Sequence, residues 1–313
     1  MGDPFHVIEV SANAPHAPEA MGTKPKFWFH DPELGPSLYK QSRLGTGEDW
    51  AEKIAAELAG LLGLPHAQIE LATWHGLRGT VSPSFVPAGG TLMHGNEMLL
   101  RLVPGYPTSK SFYRVSQHTL DRVLGTVRRV QAVPPLDWRA PPSVRDSIDV
   151  FIGYLLLDAW ISNTDRHHEN WAWVFHKVGG PPTMFECHLA PTYDHASSLG
   201  RNEPIDRKQD RLTTRDKGFS VEAYVEKAAS ALYATESDRK PLTPLEAYQR
   251  AAAQYPQAAR FWLDRLADIA DTDTKRLFER VPPDRMSLVD IEFAERMLDI
   301  SGQKLLRLRE DVP

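Results

Sequence analysis

Cysteine occurs once in this chain of 313 residues, at Cys187. A single thiol excludes an intramolecular disulfide and any zinc centre built on several thiolates. The residue reads as a small buried apolar side chain. Long apolar runs are scarce too. The longest, from Val150 to Ile161, is interrupted by Asp158 and falls short of the ~18 residues a spanning helix needs. The N-terminal MGDPFHVIEV has no basic region followed by an apolar core, so no secretion signal is read there. His6 stands where a myristoylation pattern requires Ser or Thr. Nor is one sign of charge in excess: 36 Lys and Arg face 41 Asp and Glu, a formal charge of −5. That balance excludes a dominant, sequence-independent grip on nucleic acid, which needs clustered cations on phosphates. Two signatures are absent as well, the G-x-x-x-x-G-K-[ST] loop of P-loop NTPases and the H-E-x-x-H of zinc proteases. Gly45–Gly47 lacks the third glycine of a dinucleotide fingerprint and reads as a helix-entry turn. What remains is a cytoplasmic globular protein with no membrane association.

Residues 1–22, rich in Pro, Ala and His, read as a flexible leader. Short strand-like runs follow, FWFH and SLYK, then IELATW, GTVSPSFV and EMLLRLV, broken by Gly and Pro. One helix lies among them. Its apolar positions are Trp50, Ile54, Leu58, Leu61 and Leu62, with Thr46 and Asp49 as a capping box and Gly63 and Pro65 as the stop. Residues 23–105 therefore form a β-rich lobe carrying one helix. Beyond Pro104-Gly105-Tyr106-Pro107 the texture is helical, over about 116–131, 144–162, 221–234, 244–270, 273–280 and 287–308. Between Glu186 and Ser220 a long polar segment reads as exposed loops. The expected fold class is α+β, a small β-rich N-lobe (23–105) joined to a larger helical C-lobe (106–313).

The chemistry concentrates in Ile161–Phe175, ISNTDRHHENWAWVF. An apolar helix runs into a compact polar loop and then into an aromatic strand-like run. Such loops, held between buried elements, are where catalytic groups sit. Asp165 and Asn170 have the spacing of the base and the metal-binding amide in a protein-kinase catalytic loop. A carboxylate there can orient an attacking hydroxyl, while a neutral amide oxygen holds Mg²⁺ without adding repulsive charge. Asp194, in LAPTYDHASSL, supplies a second carboxylate after another strand-like run. Lys40 ends a strand where its ammonium can reach phosphates. The neighbouring histidines do not make a chelating pair; His167 reads as a residue that braces the loop, and His168 as exposed.

Together GTKPKFWF, SLYK, WAEKIAAELAGLLGLP, SNTDRHHEN and APTYDHASSL resemble the HipA-like Ser/Thr kinases, a toxin-type family with a two-lobed, kinase-related fold. The resemblance runs from about Gly22 to Leu199. It implies an ATP- and Mg²⁺-dependent protein kinase (a transferase to an alcohol acceptor) whose substrate is a protein, with a component of translation as one candidate. By position, it makes Lys40 the ATP-binding lysine, Asp165 the catalytic base, His167 its companion, and Asn170 and Asp194 the Mg²⁺ ligands. The loop around Gly22, Thr23 and Lys24 corresponds to the family's phosphate-contacting loop. Met21 stands where that loop carries an autophosphorylated serine. Adenine is expected against a hinge near Leu100 and Leu102. The family's N-terminal subdomain is missing, so the expected partners are a cognate antitoxin or a separately encoded subdomain, with nucleic acid reached only through a partner. For the glutamate that pairs with Lys40, register with the family favours Glu52. A helical wheel instead puts Glu57 beside Trp50 on the apolar face, and both stay open. The rival readings are a lipid or small-molecule kinase, since Asp165-Arg166-His167 with Asn170 also fits the phosphoinositide-kinase loop, and an ATP-binding pseudokinase.

Overall fold

The computed structural model describes residues 2–14, 17–18, 25–107, 114–130, 132–179 and 184–312. Strands β1 (Val7–Glu9), β2 (Ala17–Pro18), β3 (Lys26–Asp31) and β4 (Gly35–Gln41) precede helix α1 (Glu48–Leu62), and β5 (Glu70–Trp74) and β6 (Leu77–Pro83) follow it. They form one sheet in the order β1-β5-β6-β4-β3-β2, antiparallel throughout except that β1 runs parallel to β5. Residues at the chain start are thus built in. Phe5 and Val10 are buried, and the Phe5 N–H donates to the Arg280 carbonyl. The flexible leader expected over 1–22 does not hold for residues 5–10, because their apolar side chains find the sheet edge.

The pleat divides β4 between two environments. Tyr39 joins Phe27, Phe29 and Val81 in an aromatic cluster on one face, while Lys40 points to the other, where α1 lies. Helix α1 ends as expected. Gly63 takes a left-handed φ of 76°, and the Leu64 N–H donates to the Ala59 carbonyl. Its start differs from the expected capping box: Gly47 is the N-cap, and the Thr46 hydroxyl donates to the Arg43 carbonyl instead. Both faces of α1 are buried, including Glu48, Asp49, Glu52 and Lys53. Two guanidiniums clamp Asp49, with Arg78 Nη2 at 2.8 Å and Arg285 Nη1 at 2.9 Å. Arg285 comes from far along the chain and ties the C-terminal region to the sheet.

Residues 84–90 link the six-stranded sheet to the rest of the chain. The next strand, β7 (Thr91–His94), pairs with β8 (Ala172–Val178), which pairs with β9 (Met184–Leu189) in a separate three-stranded sheet. The run EMLLRLV, expected as a strand, is instead helix α2 (Gly95–Leu102). A capping box formed by His94 and Glu97 starts it. Short apolar runs fit either period, and here the cap decides. Leu100 and Leu102 consequently lie on α2 and not in the connection.

The remaining helices are α3 (Leu120–Val130), α4 (Ser147–Trp160), α5 (Ile205–Thr213), α6 (Val221–Glu226), α7 (Pro244–Gln254), α8 (Pro256–Ala267), α9 (Asp271–Glu279) and α10 (Leu288–Asp311). The single helix expected over 244–270 breaks into α7 and α8 at Pro256, which has no N–H to continue the ladder. The polar stretch expected as loops contains α5. Helix α4 is buried along its whole length and packs against α7 and α8. Asp146 caps it by accepting from the Ile148 and Asp149 N–H groups. Among the described residues no helix is long and apolar enough to cross a membrane.

Candidate active site

Helix α4 delivers the chain into residues 161–171, and what shapes that loop is an ion pair between buried groups. Asp158, on the last turn of α4, accepts from Arg166 Nε at 2.7 Å and Nη2 at 2.7 Å, and from Asn163 Nδ2 at 2.8 Å. Arg166 is 1% exposed, so it lies beyond solvent and each of its donors needs a partner. Nη1 donates to the Asn170 carbonyl at 2.7 Å and Nη2 also to Thr192 Oγ1 at 3.0 Å. One guanidinium thereby fixes both ends of the 165–170 loop and fastens it to the segment leading to Asp194.

Within that frame Asn170 Nδ2 donates to the Asp165 carbonyl at 2.7 Å. A carbonyl can only accept, so the amide NH₂ must face it, which leaves Oδ1 as the atom available to a cation. His167 Nδ1 accepts the Glu169 N–H, so a neutral ring carries its proton on Nε2, which lies 3.8 Å from Asp165 Oδ1. Ser197 Oγ donates to Asp165 Oδ2 at 3.4 Å and receives Arg201 Nη2 at 3.1 Å. Arg201 in turn reaches Glu48 on α1 at 2.6 Å. The side chains of Asp165 and Asp194 keep 40% and 35% of their surface exposed. The carboxylates can meet a substrate, while Arg166 and Arg201, which brace the segments around them, are buried.

Asp194 adopts φ 59°, a left-handed conformation that Asp tolerates better than most residues. Its neighbours hold it there. Tyr193 OH donates to the Glu169 carbonyl at 2.8 Å, and His195 Nε2 meets Thr192 Oγ1 at 2.7 Å. The turn after α1 grips the same segment through Thr192 N–H to the Pro65 carbonyl and Ala67 N–H to the Thr192 carbonyl. Asp194 Oδ1 lies 3.4 Å from Lys40 Nζ, and Glu52 Oε1 lies 3.7 Å from the same nitrogen. Burial alone would lower the Lys40 pKa, but the Asp194 and Glu52 carboxylates outweigh it and hold the ammonium well above its ordinary value. Lys40 is thus a fixed positive charge spanning the two lobes.

Of the two glutamates, Glu52 meets Lys40. Glu57 pairs with Lys53 at 2.8 Å. Leu100 and Leu102, expected near adenine, both lie on α2, and Leu100 is 40% exposed. Gly22, Thr23 and Lys24 lie outside the described residues. His168, expected to be exposed, is buried: its Nδ1 meets Tyr106 OH at 2.7 Å and its ring lies beside His118. Burial lowers His168 to about 4 and His118 to about 3. Two residues went unrecognised in the sequence, Asp158 and Arg166, although an acid inside an apolar helix was a visible signal that a buried partner waits nearby. Cys187 is half-buried, and burial pushes its thiol up to about 11, well away from a reactive thiolate.

No protein-family model matches the sequence, and no curated protein matches it. Solved structures do. The Helicobacter pylori proinflammatory kinase CtkA is similar with a TM-score of 0.73 at 17% identity, over 98% of each chain. HipA of Shewanella oneidensis MR-1, from a toxin–antitoxin complex with HipB and operator DNA, is similar with a TM-score of 0.55 at 11% identity, covering 100% of this chain and 68% of that one. The protein has the two-lobed α+β kinase fold of these structures.

Proposed function

We propose that the protein is an ATP- and Mg²⁺-dependent kinase of the HipA-like type that phosphorylates a serine or threonine hydroxyl of a protein substrate. One observation carries the reading: Lys40 of the sheet lobe lies within 3.7 Å of both Glu52 on α1 and Asp194 of the helical lobe. A lysine fixed by a helix glutamate beside a carboxylate of the opposite lobe is the arrangement that phosphate binding requires in kinases. The oxygen donors Asn170 Oδ1 and the Asp194 carboxylate fit a hard cation such as Mg²⁺. Bound there, Mg²⁺ supplies neutralisation of charge on the phosphate oxygens. The Lys40 ammonium holds phosphate oxygens in place. Asp165 accepts a hydrogen bond from the acceptor hydroxyl and takes its proton as that oxygen bonds to the γ-phosphorus and the bond to the departing ADP breaks. His167 and Ser197 keep the Asp165 carboxylate aimed, and Arg166 keeps the loop from shifting. Positioning and preorganised charge account for most of the acceleration in such a site.

Adenine is assigned to the lobe connection at 84–90, where Phe85 packs on Tyr193, in place of Leu100 and Leu102. The HipA structure includes HipB and operator DNA; by that likeness the proposed partner is a separate antitoxin-type protein, with DNA reached through it. The test is thermal unfolding with ATP in the presence and absence of Mg²⁺. Stabilisation that needs both, and that disappears in Asp194→Asn, supports the reading. An unfolding temperature indifferent to Mg²⁺–ATP counts against it.

A further inference from the structure

The hairpin of β8 and β9 carries a second constellation. His176 on β8 stands directly opposite Glu186 on β9, and His188 follows Glu186 by two residues, so all three side chains share one face of the hairpin. Their ligand atoms all lie within 4.8 Å of one another. His188 Nε2 is 3.2 Å and His176 Nε2 3.7 Å from the same oxygen, Glu186 Oε2. Ligands around a tetrahedral zinc-type ion stand about 3.3 Å apart, given Zn–N and Zn–O distances of ~2.0–2.1 Å. Small side-chain rotations bring the trio to that spacing.

The hydrogen bonding shows which atoms are offered. His188 Nδ1 lies 2.9 Å from the Pro134 carbonyl. A carbonyl only accepts, so Nδ1 carries the proton, and a neutral ring then turns a bare Nε2 lone pair toward the carboxylate. Between two acceptors at that distance must lie either a second ring proton or a metal ion. His176 Nε2 is buried and has no hydrogen-bond partner. A histidine whose outer nitrogen donates to a backbone carbonyl while the inner one points at a carboxylate is oriented as metal-bound histidines are. Backbone pairing makes the orientation rigid: Val133 N–H donates to the Cys187 carbonyl and Leu189 N–H to the Val133 carbonyl, on either side of His188.

We infer that His176, Glu186 and His188 form a binding site for one divalent transition-metal ion of the zinc class. Two imidazoles and a carboxylate suit Zn²⁺ or Co²⁺ and are poorly matched to Mg²⁺. The site is therefore chemically distinct from the oxygen donors Asn170 and Asp194. Its place gives it a purpose. Strand β8 leaves the loop that ends in Asn170, and β9 enters the segment that holds Asp194. An ion joining the two strands locks their register and with it the spacing of those loops.

The experiment is calorimetric titration of Zn²⁺ into the full-length, untagged, chelator-treated protein, with visible absorption of the Co²⁺ form as a second readout. The wild type should take up one Zn²⁺ per chain, give the intense d–d bands of tetrahedral Co²⁺, and unfold at a higher temperature as Zn²⁺ is raised. Excess Mg²⁺ should not compete. The His176→Ala/His188→Ala double variant should lose the bands and the stoichiometric binding. Should that variant fail to fold, Glu186→Gln decides, because Glu186 is exposed and its isosteric replacement should weaken Zn²⁺ binding at least ~10-fold. A wild type with no stoichiometric Zn²⁺ uptake overturns the inference. So does unchanged binding in either folded variant, which would locate the ion elsewhere.

Discussion

Replacing Asp158 by Asn tests whether one ion pair shapes the loop over residues 161–171. The change keeps volume and shape but removes the charge opposite Arg166 and turns an NH₂ group toward guanidinium N–H donors or toward Asn163 Nδ2. Arg166 is 1% and the Asp158 side chain 5% exposed, so water cannot take over. Breaking a buried pair by removing one partner costs about 3–5 kcal/mol. For 313 residues at about 2.1 cal/mol/K each, 1 kcal/mol shifts the midpoint by ~1.5 °C, so the unfolding temperature should drop by roughly 6 °C. Urea unfolding followed by circular dichroism of Asp158→Asn, Arg166→Met and the double variant gives a closed cycle. Because Arg166→Met removes the stranded charge, the double variant should be less destabilised than the sum of the singles, with a coupling of about 2–3 kcal/mol. Phosphoryl transfer should fall in all three, since Arg166 also holds the Asn170 carbonyl and Thr192. The reasoning fails if Asp158→Asn stays within ~1 kcal/mol of the wild type, or if the two single effects simply add.

Three further perturbations have definite outcomes. Glu52→Gln should weaken ATP binding about 10-fold, the scale of one charge-assisted contact, whereas Glu57→Gln should leave it unchanged because Glu57 serves Lys53; calorimetry on both reads the difference, and equal effects would contradict the pairing. Acid should destabilise the fold through His118 and His168, whose folded pKa values lie below the ordinary 6.5. The unfolded chain then binds more protons, so stability is lost as pH falls below about 6.5, by roughly 4 kcal/mol for the two together at pH 5. A urea midpoint that stays level from pH 7 to pH 5 would be the opposite result. Arg285→Ala strands the fully buried Asp49 with Arg78 alone and removes donors from the Ala72 carbonyl and Thr73; thermal unfolding should register about 3 kcal/mol of lost stability, and a loss under ~1 kcal/mol would show that the clamp is dispensable.

Much of this arrangement is legible in the residues, for reasons that differ from place to place. The two-lobed outline follows from a change of period near Pro104–Pro107, strand-like before and helical after. The compact polar loop at 161–171 stands out because apolar elements flank it. The partner of Lys40 is harder, since a helical wheel assumes that one face of α1 meets water. That helix is wedged between the sheet and the C-terminal helices, and Glu48, Asp49, Glu52 and Lys53 are all buried, so the polar face holds Glu52. The strand β1 escapes notice because its pairing residue in β5 is distant in sequence: Val7 opposes Leu71. Leu100 and Leu102 mislead because eight residues of mixed apolar character carry no decisive period, and the capping box of α2 depends on His94. His168 looks solvated in a polar loop, but Tyr106 and His118 close over it from elements that only the fold brings near.

The central claim, that Asp165 works on an acceptor hydroxyl beside a nucleotide held by Lys40 and Asp194, meets its most direct test in phosphate transfer. Radiolabelled ATP with Mg²⁺ is offered to a protein extract, and the initial rate of label entering protein is compared between wild type and a folded Asp165→Ala variant. The rate should fall at least ~10²-fold, the scale of removing one preorganised electrostatic contact. Equal rates for the two proteins would contradict it.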